Sequence, residues 1–132
     1  MVIVALVACV AALLAGCRSS GTLEVIEDDP MVSQPIVGAV DVSSTSDAGG
    51  TTLGKDTPAR LSRLLELDGS RQPGEVLDDV IALAVDAGWD LVRIGHTSPH
   101  SARLVQDSGG TVISLFVDVS DPPELSLYFS GR

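Results

Sequence analysis

The sequence predicts an α+β domain: one amphipathic helix packed on an antiparallel β-sheet, a meander of about four to six strands. Three observations predict it. Between Pro73 and Ala87, the residues Val76, Leu77, Val80, Leu83, Ala84 and Ala87 fall at i, i+1, i+4, i+7, i+8 and i+11, one stripe of an α-helix. From Thr111 to Val119, Ile113, Leu115, Val117 and Val119 recur at every second position, and Leu125, Leu127 and Phe129 alternate with Ser126, Tyr128 and Ser130. Turn residues at Asp107-Ser108-Gly109-Gly110 and a break at Asp121-Pro122-Pro123 join these strands as hairpins.

Taken in order, the chain opens on an uncharged apolar run from Val2 to Leu14, followed by Ala15, Gly16 and Cys17. At ~1.5 Å per residue this run is too short to cross a ~30 Å hydrocarbon core as a helix. Short length and small terminal residues are the marks of a cleaved secretory signal. Leu14-Ala15-Gly16-Cys17 resembles the lipobox of bacterial lipoproteins. That resemblance implies a signal peptide over residues 1–16, diacylglyceryl modification of the Cys17 thiol, and a membrane anchor at the new N-terminus. Residues 17–31, with the acidic run Glu24 to Asp29, read as a lipidated tether held extended by like charges. Residues 32–132 remain for a single α+β domain.

Within that domain, Ile36 to Val42 is rich in β-branched residues and is read as a first strand, with Ser43 to Thr57 a polar loop. Arg60 to Leu67 places Leu61, Leu65 and Leu67 on one parity and Arg60, Ser62 and Glu66 on the other, mostly a strand pattern, though Leu64 breaks it and leaves a helix open. Asp68-Gly69-Ser70 is a turn, and Pro73 suits the first position of the helix. Glu75, Asp78 and Asp79 occupy its early turns, at the positive end of the macrodipole. Gly88 supplies the left-handed residue that ends it, and Trp89 can fold back on its last turn. Strands are expected over Trp89–Gly95 and Ala102–Asp107 before the two strong ones. The run from Thr52-Leu53-Gly54-Lys55 through the strand ending at Leu67, the helix, Ala87-Gly88-Trp89 and the meander resembles small actinobacterial-type secreted lipoproteins. It implies a cell-envelope location and a compact α+β domain, and brings no activity, cofactor or site residue.

All eighteen acidic and eight basic residues follow position 16, giving a formal charge of −10. Such a balance argues against nucleic acid as a partner and against a basic patch for anionic lipid. Of the two cysteines, Cys9 leaves with the signal and Cys17 is consumed by lipid, so no disulfide staples the domain.

No cofactor or metal is expected. Gly49 to Lys55 matches G-x-x-x-x-G-K, but Asp56 stands where a phosphate-binding loop needs a hydroxyl, and a strand rather than a helix should follow. His96 and His100 flank Thr97-Ser98-Pro99, where Pro99 opposes a helix, and a third zinc ligand is wanting. Ser98 or Ser101 with His96 or His100 and Asp90 has the residue types of a catalytic triad without a G-x-S-x-G elbow. Asp78 and Asp79, adjacent on a helix, point ~100° apart and make a poor acid–base pair.

Val112, Phe116 and Tyr128 lie on the parity opposite to the core. They form a partner-binding face if that side of the sheet is open, or a second core if the strand near residue 36 and its loop cover it. The function expected from these residues is a lipid-anchored, non-catalytic binding or scaffolding module on the extracytoplasmic face of the cell membrane. Its partners would be the membrane, through Cys17, and an envelope protein. The alternative is a small envelope enzyme or metal-binding protein using the His96–His100 loop.

Overall fold

The computed structural model describes residues 21–131 apart from 53, 96, 97, 121 and 122. The lipobox with Cys17, and His96, lie outside the described residues.

The segment expected to be a tether is folded from Gly21 onward. Gly21–Glu27 forms helix α1, and Pro30–Val32 a 3-10 turn. Ile26 and Met31 are completely buried, while Leu23, Val25 and Val32 pack half-buried beside them. Glu27 and Asp28 stay in solvent, but Asp29 turns inward and its carboxylate caps the 3-10 turn, accepting from the Met31 amide at 2.9 Å. The acidic run therefore sits on the outer side of a segment whose apolar residues belong to the core.

The first strand is β1, Ala39–Asp47, rather than 36–42. Ile36 is a buried residue ahead of it. Serines and a threonine continue the strand where a loop was expected, because on an exposed edge strand they need only tolerate the pleat. The rest of the expected loop holds a two-stranded ribbon, β2 (Gly50–Thr52) and β3 (Lys55–Thr57), which folds back at Gly49. Gly49 has φ 69°, and a Cβ there would collide with the backbone of Thr57 and Pro58.

Strand β4, Ala59–Leu67, alternates cleanly between buried and outward residues. The inward parity includes Arg63, so Leu64 points outward and the strand is unbroken. Helix α2, Pro73–Asp86, buries Val76, Leu77, Val80 and Ala84, and Leu83 is only half-buried on its flank. At its C-terminus Gly88, with φ 98°, donates to the Val85 carbonyl and Trp89 to that of Ala84, both at 3.0 Å, closing the helix in a Schellman motif. Strands β5 (Asp90–Ile94), β6 (Ser101–Ser108), β7 (Thr111–Ser120) and β8 (Glu124–Gly131) follow as an antiparallel meander.

The six-stranded sheet is antiparallel with order β1-β4-β8-β7-β6-β5. Only β5 to β8 form the meander; β4 pairs with β8, and α2 carries the chain across the sheet from β4 to the far edge at β5. Both helices lie on one face. Helix α1 packs on β4 and β8, and α2 on β5, β6 and β7. A single core under them gathers Leu61, Leu65, Leu115, Leu127 and Phe129 from the sheet. Among the described residues the inner face thus carries two helices where one was expected.

Candidate functional site

The opposite face of the sheet has no described helix on it. Its outward residues are fixed by register. Phe116 on β7 stands opposite Tyr128 on β8 and Arg103 on β6; Tyr128 in turn faces Ser62 on β4, and Ser62 faces Thr45 on β1. Arg93 on β5 completes a row that crosses the whole sheet. At its centre the Phe116 and Tyr128 rings are 6.0 Å apart and tilted by 46°, and the Arg103 guanidinium carbon lies 5.6 Å from the Phe116 centroid. Phe116 is 37 % exposed. Arg60 and Ser62 join Thr45, Ser46, Asp47 and Tyr128 around a shallow groove of about 360 Å³ next to the ring pair.

Of the three residues expected to form the face, the structure brings Phe116 and Tyr128 together and leaves Val112 apart. Val112 is 55 % exposed, but it lies four residues along β7, opposite Asp107, with Ser114 between it and Phe116 on the same side. The second layer that would have covered the face is absent among the described residues, because β1 joins the sheet edge instead of folding across it.

The loop before β6 holds the other candidates. His100 is exposed, its imidazole beside Gly74 at the start of α2, and its carbonyl accepts from the Val119 amide at 2.8 Å. A cavity of about 600 Å³ opens here, lined by Pro73, Ser98, Pro99, His100, Val119, Ser120 and Pro123. The Ser98 hydroxyl donates to Asp118 at 2.6 Å, and the Ser101 hydroxyl to the Ser98 carbonyl at 2.8 Å. Asp90 lies at the other end of the β5–β6 ladder, so the triad drawn from the sequence is not assembled. Among the described residues no three His, Cys, Asp or Glu side chains are grouped to hold a metal ion. Asp79 pairs with Arg71 across the start of α2, and Asp78 faces solvent. Lys55 belongs to β3 and is followed by β4, so the Gly49–Lys55 stretch does not lead into a helix.

Compared with protein-family models, curated proteins and solved structures, the chain matches none.

Sequence reasoning missed a polar joint on the inner face. Arg63, 2 % exposed, donates from Nε and Nη2 to the two oxygens of Asp41 at 2.7 and 3.0 Å. Its remaining donors reach the carbonyls of Met31 at 3.1 Å and Gln34 at 2.8 Å. Arg63 holds the Asp41 carboxyl below the usual carboxylate range, chiefly by hydrogen bonding, against a smaller opposing effect of burial. Nearby, the Trp89 indole donates to the carboxylate of Asp29, 3.0 Å from Oδ2, and meets the Phe129 ring edge-on with centroids 6.0 Å apart. The available signal was an arginine on the apolar parity of 59–67, which demands buried acceptors. The joint welds the N-terminal segment to the sheet, a structural role.

Proposed function

We propose that the protein is a lipid-anchored module of the cell envelope, held on the extracytoplasmic face of the membrane through Cys17, and that it binds an envelope protein with the open face of its sheet. The address is supported by the apolar run ending in Leu14-Ala15-Gly16-Cys17. The binding role is carried by one observation, the Phe116–Tyr128 pair under Arg103. The chain has two phenylalanines, one tyrosine and one tryptophan. Trp89 and Phe129 build the core, and the other two are spent together on the uncovered side. Aromatic side chains with an arginine beside them are the residues that dominate binding energy at protein interfaces. Confinement near a membrane raises effective concentration, so a small face is sufficient for a weak partner.

The test is cross-linking of the full chain in intact cells, with thermal melting to confirm the fold of each variant. Phe116→Ser with Tyr128→Ser should abolish a specific adduct while the protein stays folded and membrane-bound, and Cys17→Ala should release it from the membrane or leave it unprocessed. His100→Ala should leave the adduct unchanged. An adduct indifferent to the ring pair sinks the reading.

One observation favours a second reading, a small envelope enzyme: His100 borders a cavity of about 600 Å³. Against it, the neighbouring Ser98 hydroxyl donates to Asp118.

A further inference from the structure

We infer that the lipid headgroup layer is itself a contact of this domain, at the end of the sheet that carries the β6–β7 turn and the β2–β3 ribbon. The inference rests on the acylation of Cys17 proposed above. Only residues 18–20 separate Cys17 from the first residue of α1. A chain spans at most ~3.3–3.6 Å per residue, so the acylated residue stays within about 14 Å of Gly21. The folded segment that replaces the expected tether removes the slack that would have let the domain swing free.

The start of α1 is itself located. The Thr22 methyl group lies directly over Gly131, 2.9 Å from where a Cβ would stand, and Ile113 and the Val112 carbonyl are the next neighbours of that point. Gly131 ends β8, and Val112 follows the turn at Gly109 and Gly110. On the neighbouring strands, Asp47 at the end of β1 pairs with Arg60 at the start of β4, so the ribbon that joins them emerges at the same end. Exposed Val112, Ser108 and Lys55 therefore surround the anchored corner. At the opposite end are the turn around Ser70 and the His100 cavity.

With the anchor at one end of the strands, the sheet stands on the bilayer. The row through Phe116 and Tyr128 then lies about 13 Å beyond Val112, at ~3.3 Å per strand residue. The open face is turned sideways, toward whatever else projects from the same membrane. A net charge of −10 gives the domain no attraction of its own for an anionic surface, so this contact is imposed by the short link and not by headgroup affinity.

The experiment uses the full acylated chain in phosphatidylcholine vesicles containing a headgroup-nitroxide lipid. Cys17 is blocked by its lipid and Cys9 is removed with the signal, so one introduced thiol takes one fluorophore: Lys55→Cys, Ser108→Cys or Ser70→Cys. Quenching at 55 and 108 should exceed that at 70 by at least about two-fold. A flexible insert of about 20 residues between Cys17 and Gly21 should erase the difference, and a chain begun at residue 18 should show no quenching at any site. Equal quenching at all three sites, or stronger quenching at 70, overturns the inference and leaves the anchor standing. Vesicle binding by the chain begun at residue 18 would show that the surface, not the link, sets the contact, and overturns it too. An unmodified Cys17, read by mass spectrometry of the N-terminal peptide, overturns both this inference and the proposed address.

Discussion

Arg63 shows how much one inward charge organises. A guanidinium taken out of water must keep its donors occupied, and Arg63 finds its acceptors on β1 and on the backbone after α1. Asp41 answers it from the sheet edge with a side chain still 60 % exposed, so solvent screens the pair and its electrostatic contribution is below about 1 kcal/mol. The pH dependence follows from the direction of the shift. The Asp41 carboxyl sits lower in the folded than in the unfolded chain, so its contribution is complete above the unfolded value near 3.8 and is lost as pH falls through the folded one. Melting temperatures taken from pH 6 to pH 2 should therefore fall less steeply below pH 4 for Asp41→Asn than for the natural chain. Some slope must survive, because Asp68 is also lowered, by its hydrogen bonds to Ser70. Identical slopes would mean that the Asp41–Arg63 pair does not form in solution.

At the scale of elements, the segments that could be read were those whose own residues repeat the environment they enter. α2 carries a long apolar stripe and a glycine stop, and β7 and β8 alternate because one side is core and the other solvent. α1 was hidden because seven residues are too few to show a period, and its anchors Ile26 and Met31 lie among acids. β1 was misplaced because its inward partners are a salt bridge and serines rather than aliphatics. Phe116 and Tyr128 were visible as off-core residues by parity alone. Their contact and the row they share with Arg103 depend on register between strands, which no local pattern encodes. The same contrast grades the helix. Leu77 is buried at the centre of the stripe and Leu83 only half-buried on its flank. Denaturant unfolding should give ~2–5 kcal/mol lost for Leu77→Ala and roughly half as much for Leu83→Ala. Equal losses would mean the helix sits rotated from the position described.

For the whole molecule, the decisive fact is that two helices from opposite sides of β4 in sequence share one face of the sheet. Neither covers it alone: α1 takes the β4–β8 half, and α2 the β5–β7 half. A chain beginning at residue 32 keeps every strand but loses Ile26, Met31, a carbonyl that Arg63 holds and the carboxylate that holds Trp89. Such a chain should melt without a sharp transition and bind a hydrophobic dye, whereas one beginning at residue 18 should unfold cooperatively. A cooperative melt from the shorter chain would make the N-terminal segment an accessory. The Trp89 indole also gives the molecule an optical signal. It is the only tryptophan, sealed between Phe129 and the carboxylate of Asp29. Its emission thus comes from a single site, at the seam where the N-terminal segment meets the sheet. If Cys17 is acylated as proposed, a pull on it strong enough to lift Asp29 would open that site to water and move the emission to the red. On the proposed acylation of Cys17, that one ring becomes a gauge of tension between anchor and fold.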